Sequence, residues 1–294
     1  MIENFEGDWK KEWFTYRPED WARRTHKIYD DKWKAPPYAK LALEVRSAEP
    51  NKLVVRLDDF VAEAQLKGDG QWQEVVLFPV DFQDVEGGSF LEWSGLRELS
   101  LSAKETLRSG RGPARKTRVV GADWKGPDPT FRNLRWVKGT KEELNARRTI
   151  KLPKTARESP IYLTPEYADF VSFGMDPIHF NPKVHDIPLE VYGKTYEYCM
   201  TLHAPSEATF FLGGKYARFR AIAVPGRVAT VEFKVIVDDK EVFKSGLLKG
   251  RQLRIVDLPL KDAQEIKLII TDGGNGKSGD WAHWVDAWVV GAND

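Results

Sequence analysis

The 294-residue chain has a single cysteine, Cys199, so it can build neither an internal disulfide framework nor a thiolate metal cluster. Set in the apolar run "YEYCMTLHA", that thiol reads as a small buried side chain rather than a reactive one. No hydrophobic run approaches the roughly 18 apolar residues of a membrane span. The opening "MIENFEGDWKKEW" is acidic and aromatic and lacks the basic and apolar regions of a secretory signal. Charge of one sign is missing as well: 45 Lys and Arg against 44 Asp and Glu leave a formal +1. No global field therefore argues for nucleic acid or an acidic surface.

Catalytic signatures are also absent. There is no HExxH, no GxSxG, no Walker loop and no GxGxxG after a strand. None of the five histidines pairs at a compelling ligand spacing; His179 and His185 stand six apart in the proline-rich loop "DPIHFNPKVHD". A glycosidase needs two carboxylates at a fixed separation, and nothing singles out such a pair among 44 acidic residues. The sequence gives enzymatic function no positive support.

Strand signals dominate what is present. "AKLALEV" (Ala39–Val45), "NKLVVRL" (Asn51–Leu57), "VEFKVIV" (Val231–Val237) and "EIKLII" (Glu265–Ile270) alternate apolar with polar residues, between Gly, Pro, Asp or Asn. Helical windows are few. "TKEELNARR" (Thr140–Arg148) supports two turns, with Thr140 and Glu143 spaced as a capping box. Short strands at turn-rich intervals predict an all-β sandwich architecture. The stretch 138–157 loses strand periodicity and becomes polar, basic and proline-punctuated. It reads as a linker, possible turns of helix included, between domains at 1–137 and 158–294.

Two local features invite functional readings. The first is "RSGRGPARKTR", where Arg108, Arg111, Arg115, Lys116 and Arg118 crowd among Gly and Pro. This is either a solvated inter-strand loop or a patch for an anionic partner, since guanidinium pairs bidentately with phosphate or sulfate groups. It has no interleaved aromatics, which argues against a single-stranded nucleic-acid platform. The second is the tail "DGGNGKSGDWAHWVDAWVV" in a chain with 11 tryptophans. Trp281, Trp284 and Trp288 match one helical face, yet Trp284, Asp286, Trp288 and Val290 also keep the strand period.

The second half resembles the NPCBM family of carbohydrate-binding modules. The resemblance is carried by "LHAPS" (Leu202, His203, Ala204, Ser206), then "GGKYARFRA" (Gly213, Gly214, Tyr216, Arg218, Phe219, Ala221), then "TDGGNG…DWAHWVDA" (Asp272, Asp280, Trp284, Asp286, Ala287). Leu202 and "VPG" (Val224–Gly226) depart from that pattern. The first half is similar to galactose-binding-like jelly rolls of the complex I intermediate-associated type, through "FEG", "WQEV" and "NLRWV"; there Trp72, Phe82, Trp93 and Trp136 read as packing residues.

Together these resemblances imply two jelly-roll, galactose-binding-like β-sandwich domains that bind carbohydrate without catalysis. The ligand would be a galactose-type glycan terminus, and the setting extracellular or periplasmic, as part of a polysaccharide-processing system. A glycan-active hydrolase with an interdomain cleft, and a structural module whose sugar site has decayed, remain the alternatives. The implied sugar-contacting residues are His203, Trp281, His283 and Trp284. In a closing jelly-roll strand Trp288 and Val290 would face the core, with Trp281 and His283 in the loop that enters it. The fold also implies a structural calcium near the chain ends, for which Asp286 is the candidate ligand.

Overall fold

The computed structural model describes residues 1–6, 13, 21–91, 93–109, 115–153, 159–172, 189–191, 194–196, 198–250, 252–276 and 278–291. His179 and His185 lie outside them. The chain divides into two compact units, Met1–Arg148 and Thr149–Asp294.

In the first unit, β1 (Arg23–Thr25), β2 (Lys40–Arg46), β3 (Asn51–Leu57), β4 (Phe60–Leu66), β5 (Trp72–Leu77), β6 (Leu99–Ser102), β7 (Lys104–Ser109), β8 (Lys116–Gly121) and β9 (Thr130–Val137) precede helix α1 (Lys141–Arg147). They form a four-stranded sheet in the order β1-β6-β3-β4, a three-stranded sheet β5-β2-β9 and the hairpin β7-β8. Alternation supplies one apolar face to each larger sheet. Leu41 and Leu43 from one pack with Leu53, Val55, Leu99 and Leu101 from the other in a shared core. Phe82 and Trp93 join that core, and the Trp93 indole donates to Ala39 O at 2.6 Å. Trp136 packs against it. Trp72 instead lies under two guanidinium groups, Arg132 at 4.2 Å and Arg46 at 5.2 Å.

Helix α1 falls inside the stretch expected as a linker and is grouped with the first unit. Its capping box forms as its sequence dictates: Glu143 N donates to Thr140 Oγ1 at 3.2 Å, and Thr140 N to Glu143 Oε2 at 3.0 Å.

The second unit contains β10 (Ile161–Tyr162), β11 (Phe170–Ser172), β12 (Leu189–Val191), β13 (Lys194–Tyr196), β14 (Cys199–His203), β15 (Ser206–Phe211), β16 (Tyr216–Pro225), β17 (Thr230–Val237), β18 (Lys240–Lys249), β19 (Arg254–Pro259), β20 (Glu265–Thr271) and β21 (Trp281–Gly291). One five-stranded sheet runs β11-β15-β20-β17-β18; the other runs β10-β21-β16-β19, with β14 also paired to β21. Phe210, Phe233, Leu268 and Ile270 from the first sheet meet Leu202, Phe219, Trp284 and Val289 from the second. Each unit is therefore an antiparallel sandwich of two larger sheets, with the hairpin β7-β8 in the first and the pair β12-β13 in the second forming separate two-stranded sheets.

The tail is strand throughout, and its phase differs from the one expected. Between Ile222↔Val285 and Arg220↔Trp288, β21 spends three residue steps where β16 spends two. This bulge holds Asp286 at φ +44, in the left-handed region that Asp tolerates. Ala282 and Trp284 point inward before it, and Ala287 and Val289 after it. Trp288 and Val290 consequently stand on the outer face and only half-buried, not in the core. Trp281 and His283 belong to the strand itself rather than to the loop before it.

Trp284 has no exposed surface and meets the Phe233 ring edge-on, 4.9 Å between centroids. Trp284→Ala should therefore destabilise the second unit by about 3–5 kcal/mol, read by denaturant unfolding of the whole chain. A loss below 1 kcal/mol would contradict this packing.

Candidate functional site

Strands β14 and β21 pair antiparallel with Thr201 opposite His283, Leu202 opposite Ala282 and His203 opposite Trp281. The strand period then sends Thr201, His203, Trp281 and His283 to one face and Met200, Leu202, Ala282 and Trp284 to the core. Three of the four expected sugar-contacting residues are thus brought together on the outer face at one end of the sheet. Trp284, the fourth, is a correction: it belongs to the opposite face, completely enclosed, and offers a ligand nothing.

His203 also differs from expectation, being only 2% exposed. Its Nδ1–H donates to Ala204 O at 2.8 Å, and its ring meets Trp281 edge-on with centroids 5.1 Å apart. The imidazole is a buried support that sets the plane of Trp281. Its Nε2 is buried with no hydrogen-bond partner in the structure. Trp281 is half-buried, as is His283, whose Nδ1 shares a 2.9 Å hydrogen bond with Thr201 Oγ1.

Two groups that the tail's spacing did not single out hold this end of the sheet together. Asp280, 1% exposed, accepts Thr230 N on Oδ1 at 2.9 Å, and its carbonyl accepts Ala204 N at 2.9 Å. One carboxylate residue therefore ties the turn after β14 to the starts of β17 and β21. Gly226 ends β16 with its N–H on Trp281 O at 2.7 Å, and a Cβ there would stand 2.5 Å from that oxygen. The "VPG" sequence is thus what lets the chain pass so close to Trp281. Beside this corner, Val228 is 78% exposed and adjoins Gly279 in the loop entering β21. Half-exposed indole, exposed valine and imidazole together give apolar surface edged by polar groups.

The calcium reading of Asp286 fits poorly. A hard cation takes about six to eight oxygens, and among the described residues no group of three His, Cys, Asp or Glu side chains could hold a metal. Asp286 serves the bulge, where its N–H donates to Tyr198 O at 2.8 Å.

A two-sheet sandwich with aromatic and polar groups gathered at one sheet end has the build of a ligand-binding module. Residues 163–290 match the family model of the NPCBM/NEW2 domain. The second unit accordingly carries a domain of that carbohydrate-binding-module family. Similar solved structures include a CBM51 module from Clostridium perfringens GH95 in complex with methyl-galactose. It is 27% identical, covers 45% of this chain and 100% of that chain, and has a TM-score of 0.40. The CBM51-2 and INT domains of Clostridium perfringens ZmpB, with GlcNAc bound, are 21% identical over 47% of this chain and 33% of that one, TM-score 0.42. Tandem CBM51 modules of a family 98 glycoside hydrolase from Streptococcus pneumoniae SP3-BS71 are 14% identical over 92% of this chain and 81% of that one, TM-score 0.39. No curated protein sequence matches the chain. No helix among the described residues is long and apolar enough to cross a membrane.

Cys199 lies at the far end of β14 from Trp281, with Sγ 3.5 Å from Thr201 Oγ1. Burial pushes its thiol up to about 11, and the Asp286 charge acts in the same direction. With the thiol neutral in both states at lower pH nothing is lost there, and folded-state stability falls as pH climbs from the ordinary thiol range to about 11. Native Cys199 should react with iodoacetamide at pH 8 about 100-fold more slowly than in the unfolded chain, in proportion to its thiolate fraction. Equal rates would show that the thiol is not desolvated.

Proposed function

We propose that the second unit recognises a glycan without turning it over, at the β14–β21 end of its sheet. The observation that carries this is the NPCBM/NEW2 match across residues 163–290; the surface around Trp281 supports it. Trp281 and Val228 supply the apolar patch against which one face of a pyranose ring stacks. His283, oriented by Thr201, supplies the polar group that fixes a hydroxyl. His203 acts as a positioning residue beneath Trp281. A galactose-type terminus is the ligand the sequence resemblance implies. An extracellular or periplasmic role beside polysaccharide-processing activity is the setting it implies. An open site for one sugar unit should bind weakly, between millimolar and micromolar, about −4 to −8 kcal/mol.

The test is a glycan array of the intact chain followed by calorimetric titration of the best ligand. Trp281→Ala should lower affinity at least tenfold and His283→Ala several-fold, with both variants still folded by circular dichroism and cooperative thermal unfolding. Binding that survives both substitutions would move the site elsewhere. A folded chain that binds no glycan would sink the reading, and release of new reducing ends from the bound glycan would overturn its non-catalytic part.

A further inference from the structure

The first unit has a cleft of its own, about 510 Å³ in volume. It opens where β4, the edge of the four-stranded sheet, meets β5, the edge of the three-stranded sheet, and β8 closes one side. Its size is that of a small-molecule site, about 300–1,000 Å³. Val61, Val75 and Val120 lie nearly buried beneath its floor, and its open surface is mainly polar, with Glu63, Arg118 and Arg147 bringing charge to it. All of these residues belong to the first unit.

The charges are not equally satisfied. Glu63 Oε1 receives Lys52 Nζ at 3.2 Å and Gly121 N at 3.0 Å. Asp81, also in the lining, accepts Phe78 N on Oδ2 at 2.8 Å and faces Arg147 Nη1 at 3.4 Å. Arg147 in turn lies over the Phe78 ring, 4.7 Å from its centroid. Both carboxylates therefore already have cationic and amide partners. Arg118 has neutral acceptors instead: Asp84 O at 3.1 Å, and Gln83 Oε1 at 3.4 Å. Among the described residues no carboxylate pairs with it. Gln83 is itself anchored to the cleft wall by a mutual backbone pair with Val61, 2.9 Å in each direction. The guanidinium is thus held in place, half-buried, and its charge is left to whatever enters the cleft.

We propose that this cleft binds an acidic sugar unit, a pyranose bearing a carboxylate, with Arg118 pairing to that carboxylate. Guanidinium and carboxylate match bidentately, and the mainly polar surface of the cleft suits a ligand rich in hydroxyls. This differs from an exposed basic loop: among the described residues of the run "RSGRGPARKTR", Arg118 is the one that lines the cleft. The inference is independent of the site proposed for the second unit.

The probe is a short galacturonic acid oligomer, titrated into the intact chain beside its fully methyl-esterified form. The free acid should bind at least tenfold more tightly than the ester. Arg118→Gln should remove at least tenfold of the acid's affinity while leaving the parent's circular dichroism and thermal midpoint. Lys104→Gln, which removes a cation paired to Asp123 outside the cleft, should leave affinity unchanged. Equal binding of acid and ester, equal weakening by both variants, or no binding by the folded chain would each overturn the assignment. A sulfated neutral oligosaccharide that outcompetes the free acid would overturn its carboxylate specificity.

Discussion

Strand β21 is hydrogen-bonded on both sides, to β16 on one and to β14 and β10 on the other, and it carries one residue more than β16 between Val285 and Trp288. A strand held on both sides cannot shed that extra residue at an edge, so it is absorbed as a bulge with Asp286 at positive φ. Side-chain direction in a strand has a period of two, so one extra residue exchanges the faces of everything beyond it. Trp284 is therefore enclosed against Phe233, while Trp288 emerges on the outer face below Arg220, 5.9 Å from its ring centroid. The bulge also leaves Val285 outward, where it makes a small separate cluster with Val224, flanked by Cys199 and Ile222. The inward turn of Ala287 and Val289 and the outward turn of Trp288 and Val290 follow from this irregularity.

The same corner shows how much of a sequence pattern is architecture. His203, Ser206 and Asp280 are polar residues of the resembling motifs, and all three are buried. Each keeps one side-chain atom without a hydrogen-bond partner in the structure, although buried polar groups are usually satisfied. Asp280 offsets its burial by accepting a backbone N–H that a strand start would otherwise leave unmet. His203 does so through the carbonyl of its own turn. These groups fix where the β14 turn and the β21 entry lie, and Gly226 lets the end of β16 close against them. Their half-buried neighbours on the outer face are Trp281 and His283. The motif therefore builds the platform, and the residues between its fixed points meet the solvent.

What could be read from the sequence was local. Alternation located the strands at 40–46, 51–57, 230–237 and 265–271 to within a residue or two of the stretches it marked. The spacing of Thr140 and Glu143 announced the cap of α1, because a capping box is complete within four residues. The phase of the tail was not legible, since "DWAHWVDAWVV" satisfies a straight strand equally well and the bulge is decided by pairing with distant β16. The burial of His203 escaped for the same reason, its cover being the cross-strand neighbour Trp281. The cleft was hidden more deeply still. Its walls come from strands paired into different sheets, and its basic group is one member of a run whose other arginines look identical in sequence.

The two candidate sites rest on opposite physics. At the site proposed for the second unit, an indole plane meets an imidazole edge, and a sugar stacked there would be held mostly by dispersion and the loss of apolar hydration. In the cleft of the first unit, the decisive feature is a guanidinium satisfied by neutral oxygens and paired to no carboxylate among the described residues. Half-burial away from bulk water makes that charge harder to screen than a surface arginine's, and a carboxylate brought to it gains accordingly. A chain with a formal charge of only +1 has no global field to attract an acidic glycan. Any selectivity for one must therefore arise locally, from where the fold leaves a single cation uncompensated.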